Sequence, residues 1–303
     1  MALTDLPTWA PRPESAASTR MSEFRSAASS AAGTSFADTS ALHSWSVTQA
    51  SDFWSLVWRF FEVQGEPGGV GCTPAVLPDT SFFPEARLNL AANLLAPWRD
   101  STAPAVVWVG EGNGALEVRE TVTGIDLNRR VGSFAAFLRD KGVTPGDRVG
   151  LIMPVGPDAL VCTLGALAVG AVVSSVSPEF GAPLIVDRLG QLEPAVLIAA
   201  PTYSWSGKSF DRADNIVDVI GALPSLRLVI TTGNEPNPVI VAGAHCDVVG
   251  LSPALAADVE PTFEMLPFDH PAYVLFSSGT TGKPKCLIHR GGGVLLKHLV
   301  EMG

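Results

Sequence analysis

Cysteine is scarce and scattered: among 303 residues stand only Cys72, Cys162, Cys246 and Cys286, and no two of them form a CxxC pair. That spacing excludes a zinc ribbon and a thioredoxin-like redox motif. A chain of this length does not need a disulfide framework, so buried thiols in a reducing compartment are expected, and with them a cytoplasmic location. Charge is also sparse, at 17% of residues, and positive charge is the rarer kind, with 20 Lys and Arg against 30 Asp and Glu. The formal net charge of −10 repels nucleic acid and anionic membrane surfaces, so a nucleic-acid reader is disfavoured. The N-terminus MALTDLPTWAPRPES lacks the basic residues and apolar run of a secretory signal, which disfavours export by that route. One uncharged stretch of 19 residues, Ala159 to Ser177, approaches the length of a bilayer span. It reads instead as a buried helix to Ala168, a break at Gly170, and a β-branched strand (Val172, Val173, Val176) that ends at Pro178.

What is abundant is apolar surface. Hydrophobic residues make up 47% of the chain and the mean hydropathy is +0.27, enough for a large core and against wholesale disorder. The length allows two domains, or one large α/β domain with an appendage.

The first forty residues are rich in Ala and Ser, the composition of a linker or tail, yet Met21, Phe24 and Ala28 recur at helical spacing. Asp52 to Glu62 then gives an aromatic helix whose stripe of Phe53, Trp54, Val57, Trp58 and Phe61 must dock on a core. From Pro104 the pattern changes to short apolar runs alternating with amphipathic ones, the mark of βα units and a mostly parallel sheet with helices on both faces. The expected strands are 105–109, 148–153, 172–176, 195–199 and 226–231. The expected helices are Asp126 to Lys141, closed by Gly142, then Asp158 to Ala168, Pro183 to Leu192 and Asp211 to Ile220. Gly233 to Pro271, rich in proline, reads as a wandering connection with little regular structure.

The stretch with the most chemistry follows the apolar strand YVLF: SSGTTGKPK, from Ser277 to Lys285. Glycines let backbone N–H groups approach an anion, the hydroxyls of Ser277, Ser278, Thr280 and Thr281 add short donors, and Lys283 and Lys285 supply charge. That combination fits a polyphosphate better than a bare turn. The common NTPase loop, GxxxxGK[ST], is excluded because Ser277 stands where it needs glycine and Pro284 where it needs a hydroxyl. Gly110, Gly112 and Gly114 have the wrong spacing for a dinucleotide fingerprint and read as a hairpin turn. No GxSxG nucleophile elbow exists, so His289 beside the triple glycine 291–293 reads as structural. His43, His245 and His270 share no metal-ligand spacing.

With these residues in view, the sequence resembles the acyl-CoA synthetases of the adenylate-forming ligase superfamily. The wording LFSSGTTGKPKCLIHRGGGVLLKHLVEMG resembles most the branch that activates acetoacetate. The likeness extends upstream through SPEFGAPLIVDRLGQLEPAVLIA, YSWSGKSFD, GVTPGDRVGLIMP and FFPEARLNLAANLL, covering nearly the whole chain from Trp9. The resemblance implies a cap region over residues 1–98 and an incomplete AMP-binding domain over 99–303. It also implies a two-step reaction in which a carboxylate, acetoacetate or a similar short acid, attacks the α-phosphorus of Mg²⁺·ATP, after which coenzyme A displaces AMP. On that footing Ser277, Ser278, Gly279, Thr280, Thr281, Gly282 and Lys283 hold the β- and γ-phosphates, Lys285 tunes the same field, and Lys208 in YSWSGKSFD meets the phosphates of coenzyme A.

The chain departs from that family in stopping at Gly303, shortly after the phosphate loop. The adenine-stacking segment, the acyl pocket and the C-terminal domain with its catalytic lysine are then missing, and the isolated chain is expected to be inactive because its positioning groups are gone. A missing C-terminal half is one partner so implied. The strand YVLF and the apolar face of a helix from Val294 to Met302 are expected to be left uncovered. The alternative is a non-catalytic nucleotide-binding or interaction module derived from the same family.

Overall fold

The computed structural model describes residues 12–75, 77–111, 116–277 and 282–302, and it forms two compact units. The first comprises residues up to Ala86 together with Leu296 onward, the second Arg87–Leu295.

The first unit is helical, with α1 (Pro13–Ala17), α2 (Arg20–Ala32), α3 (Thr39–Thr48) and α4 (Ala50–Phe60), followed by a short strand β1 (Gly65–Glu66). The Ala/Ser-rich start is thus helix rather than tail, and local capping explains why. The Thr19 hydroxyl accepts the Ser22 N–H at 3.2 Å, Asp38 accepts the Ala41 N–H at 2.8 Å, and Gly33 ends α2 at φ +64°. The aromatic stripe docks as expected. Phe24 meets Phe53 and Phe60 edge-on at 5.8 and 5.1 Å and packs on a cluster of Ala28, Phe36, Leu42 and Leu56, while Val57 and Trp58 are buried, Trp58 5.0 Å from the Phe83 ring.

The second unit opens with β2 (Arg87–Leu88), α5 (Leu90–Leu95) and the hairpin β3 (Pro104–Glu111) and β4 (Leu116–Thr123). Then come α6 (Gly124–Asp140), β5 (Arg148–Ile152), α7 (Pro157–Ala168), β6 (Val172–Val176), α8 (Ala182–Leu189) and β7 (Val196–Ala199). A second hairpin, β8 (Thr202–Trp205) and β9 (Lys208–Asp211), precedes α9 (Ala213–Ala222), β10 (Leu228–Thr231), α10 (Pro238–Gly243), β11 (Asp247–Gly250) and α11 (Leu251–Ala254). The unit closes with β12 (Leu266–Pro267), β13 (Pro271–Ser277), β14 (Lys285–Arg290) and the start of α12 (Gly291–Met302).

Seven strands form one sheet in the order β11-β10-β7-β5-β6-β13-β14, parallel throughout except for β13 with β14. Both faces are covered, as the near-continuous apolar strands require. Ile152, Val176, Leu197 and Val229 face a core with Ile185 and Leu189 of α8, Ile216 and Ile220 of α9 and Ile240 of α10, while the alternating Leu151, Ile198 and Ile230 are buried on the other face. Asn89, fully buried, fastens the α7–β6 turn: its side-chain amide donates to the carbonyls of Leu167, Ala168 and Glu264 at 3.0, 3.3 and 2.9 Å.

Three expectations are corrected. Residues 105–109 lie outside the parallel sheet, paired antiparallel with β4, because the short connection between those strands cannot carry a crossover. Val107, Trp108 and Val109 stay 40–52% exposed there, so that run does not fill a core. The proline-rich region 233–271 contains α10, α11 and an edge strand, β11, whose run is too short and too polar-flanked to register as a strand. Finally, the edge of β13 is covered by β14, which leaves Leu287 and Ile288 on the outer strand 49% and 62% exposed. The helix after the loop is present as α12; Leu295 on it is buried, whereas Met302 is exposed. Among the described residues no helix is long and apolar enough to cross a membrane, and all four cysteines are free thiols, two of them (Cys72 and Cys162) buried.

Candidate functional site

From β5 the chain crosses to β6 on one side, then returns past β5 to β7 on the other, so the switch point of the kind where α/β sheets bind ligands lies between the carboxyl ends of β5 and β7. β13 lies parallel on the far side of β6, with Tyr273 opposite Val173, and this register brings Ser277 level with the carboxyl end of β6. The buried Ser174 hydroxyl ties the two strands by donating to the Val274 carbonyl at 2.9 Å. The chain therefore reaches Ser277 at the carboxyl edge of the parallel strands.

The loop from there closes a hairpin, for Ser277 pairs directly with Lys285 across β13 and β14. Ser278, Gly279, Thr280 and Thr281 lie outside the described residues. On the returning limb Gly282 has φ +96° with open space where a Cβ would project, so glycine is required there by backbone conformation rather than by crowding. Lys283 and Lys285 are exposed and form no ion pair among the described residues. Cationic side chains, a left-handed glycine and no carboxylate salt-bridged to either lysine make a donor set that fits a polyphosphate.

Gln191, just after α8, braces this limb. Its side-chain amide donates to the Pro284 carbonyl at 3.1 Å and accepts from the Cys286 thiol at 3.5 Å, while also donating to the Asp187 carbonyl at 2.6 Å. Nothing in the sequence pointed to Gln191 or Ser174, because each contact joins residues about a hundred positions apart.

Lys208 stands on a different hairpin. Ser206 and Gly207 adopt φ +52° and +72°, the left-handed pair that a tight β-hairpin turn demands, and Tyr203 stacks on Phe210 at 5.1 Å. The turn's two N–H groups donate to the Glu111 carboxylate at 3.0 and 2.8 Å, and Lys208 follows, exposed. His289 tilts against Tyr273 at 5.2 Å and His270 contacts the Gly170 carbonyl at 2.9 Å, both in structural roles. Among the described residues no group of three or more His, Cys, Asp or Glu could hold a metal ion.

Residues 98–300 match the family model described as AMP-binding enzyme. The chain is 36% identical over 301 residues to the acetoacetyl-coenzyme A synthetase of Rhizobium meliloti, covering 97% of this chain and 45% of that protein. It is 33% identical to the acetoacetyl-CoA synthetase of Rattus norvegicus, covering 95% and 44%. The solved acetoacetyl-CoA synthetase from Streptomyces lividans superposes with a TM-score of 0.87 at 37% identity, over 98% of this chain and 45% of that one. The chain thus spans about half the length of the relatives it matches.

Proposed function

Because the chain belongs to the AMP-binding enzyme family, we propose that it supplies the N-terminal part of an ATP-dependent acid:coenzyme A ligase with acetoacetate as the acid. The observation that carries this reading is the loop between Ser277 and Lys285 at the carboxyl edge of a parallel sheet, in a chain whose relatives bear the name acetoacetyl-CoA synthetase. ATP brings Mg²⁺ on its phosphates and an activated phosphoanhydride: the carboxylate would attack the α-phosphorus with release of pyrophosphate, and the thiol of coenzyme A would then take the acyl group with release of AMP.

The residues of this chain bind and orient. Ser277, Ser278, Gly279, Thr280, Thr281 and Gly282 offer hydroxyl and backbone donors to the β- and γ-phosphates, and Lys283 neutralises charge as pyrophosphate separates. Lys285, across the hairpin from Ser277, adds to the same field. Lys208, exposed on the β8–β9 hairpin, meets the phosphates of coenzyme A. A cytoplasmic location accords with four free thiols. Residues 1–98 form the cap region and 99–303 an AMP-binding domain that depends on further polypeptide.

The test is acetoacetate-dependent ATP–pyrophosphate exchange, measured on this chain with and without a supplied C-terminal half of a relative. Exchange only in the combined sample, lost with Lys283→Ala or Thr281→Ala, is expected. Unchanged exchange in both variants would remove the loop assignment. The second reading, a nucleotide-binding module without catalysis, is the one that tight ATP binding by the chain alone would support.

A further inference from the structure

The first unit contains a cavity of about 350 Å³ walled by α2, α3, α4 and the end of α12. Its lining is dominated by Phe24, Phe53, Phe60, Leu42 and Val57. A dry apolar hollow of about 150 Å³ already accepts benzene, and natural ligand sites begin near ~300 Å³. The volume is therefore that of a ligand-binding site rather than of a packing defect.

The polar groups of the lining are the ones that choose the ligand. Among the described residues Arg20 and His43 are its titratable side chains and no carboxylate lines it, in a chain whose formal charge is −10. The guanidinium of Arg20 is held in place: it lies 4.9 Å from the centre of the Phe60 ring and 5.8 Å from that of Phe61. One of its nitrogens meets the exposed Glu23 at 2.9 Å, a surface pair of small worth, and the rest of its planar fork is left for an anion at the edge of the hollow.

We propose that this cavity binds a medium-chain aliphatic carboxylate, its chain against the phenylalanines and its head on Arg20. This goes beyond the ligase reading and does not depend on it, since the site lies wholly in the helical unit and shares no residue with the phosphate loop.

The experiment is calorimetric titration of the full chain with sodium decanoate and, separately, with 1-decanol, on the native protein and on Arg20→Gln and Ser46→Trp. Arg20 is exposed, so its substitution leaves the fold intact, and Ser46 lines the wall without being fully buried. Saturable decanoate binding is expected, weakened about tenfold by Arg20→Gln through loss of a charge-assisted contact, with decanol unaffected by that change and both ligands blocked by Ser46→Trp. No saturable heat with decanoate would overturn the proposal, as would equal binding of decanoate by native protein and Arg20→Gln. A concentration-dependent dimer that decanoate does not dissociate, but Ser46→Trp does, would assign the hollow to a second copy and overturn it too.

Discussion

The side-chain amide of Gln191 donates to the carbonyl of Pro284 at 3.1 Å, joining the end of helix α8 to the returning limb of the loop between β13 and β14. That contact makes an exposed glutamine a positioning residue. Gln191→Ala is expected to cost under ~1 kcal/mol of stability, since the group stays hydrated when unpaired. It should nevertheless speed hydrogen exchange in β14, with Cys286 and its neighbours responding and β5 not. Unchanged exchange there would show that the brace does not hold the limb.

Asn89 is the opposite case, a buried amide on which three carbonyls from two segments converge, and whose oxygen also caps α5 by accepting the Ala92 N–H at 3.2 Å. Asn89→Ala removes the cap and the amide donor to the Glu264 carbonyl, while the Leu167 and Ala168 carbonyls keep the Gly170 and Glu264 N–H groups at 3.1 and 2.8 Å, for an expected loss of about 2 kcal/mol. Urea denaturation followed by circular dichroism measures it. A loss within experimental error would mean that water replaces the amide.

Gly132, inside α6, sets helix propensity against space. Alanine should favour the helix by about 1 kcal/mol. However, a Cβ there would press on the Val259 carbonyl and come within 2.7 Å of the Pro261 nitrogen, main-chain atoms that cannot swing aside. Gly132→Ala is therefore expected to destabilise by about 1–2 kcal/mol in the same assay, and a gain in stability would contradict the close approach.

The exposed Asp258 carboxylate receives the Arg129 guanidinium in a two-pronged pair at 2.6 and 2.8 Å, and this hydrogen bond holds its pKa below the usual carboxylate value. A depressed folded pKa contributes stability that is complete above the unfolded value of about 3.9 and is lost as pH falls through the folded one. Asp258→Asn should thus melt slightly below the native chain at neutral pH and converge with it in strong acid. A difference that persists in acid would place its cause outside the ion pair.

Much of this architecture was legible because it rests on short-range chemistry. The helices around Phe134 and Ile216 follow from apolar periodicity, and the loop's chemistry from nine adjacent residues. What was hidden depends on partners far apart in sequence. The strand Lys285–Arg290 carries no strand signature of its own and exists because β13 presents an edge to pair with. β11 likewise takes its form from β10. Residues 105–109 misled because β-branched runs look alike whether they enter a parallel sheet or a two-stranded hairpin, and only the short connection to β4 distinguishes them. Gln191 could not be found from the sequence at all, since an amide at a helix end is ordinarily a solvated one.

The central claim is that the loop between β13 and β14 grips nucleotide phosphates, and Cys286 reports on it directly, being partly exposed two residues beyond Pro284 and in contact with Gln191. Its alkylation can be followed by site-resolved mass spectrometry with and without millimolar MgATP, Cys246 serving as internal reference. The account predicts that MgATP slows alkylation of Cys286 but not of Cys246, and that Lys283→Ala abolishes the protection. Equal rates at Cys286 with and without MgATP would contradict it.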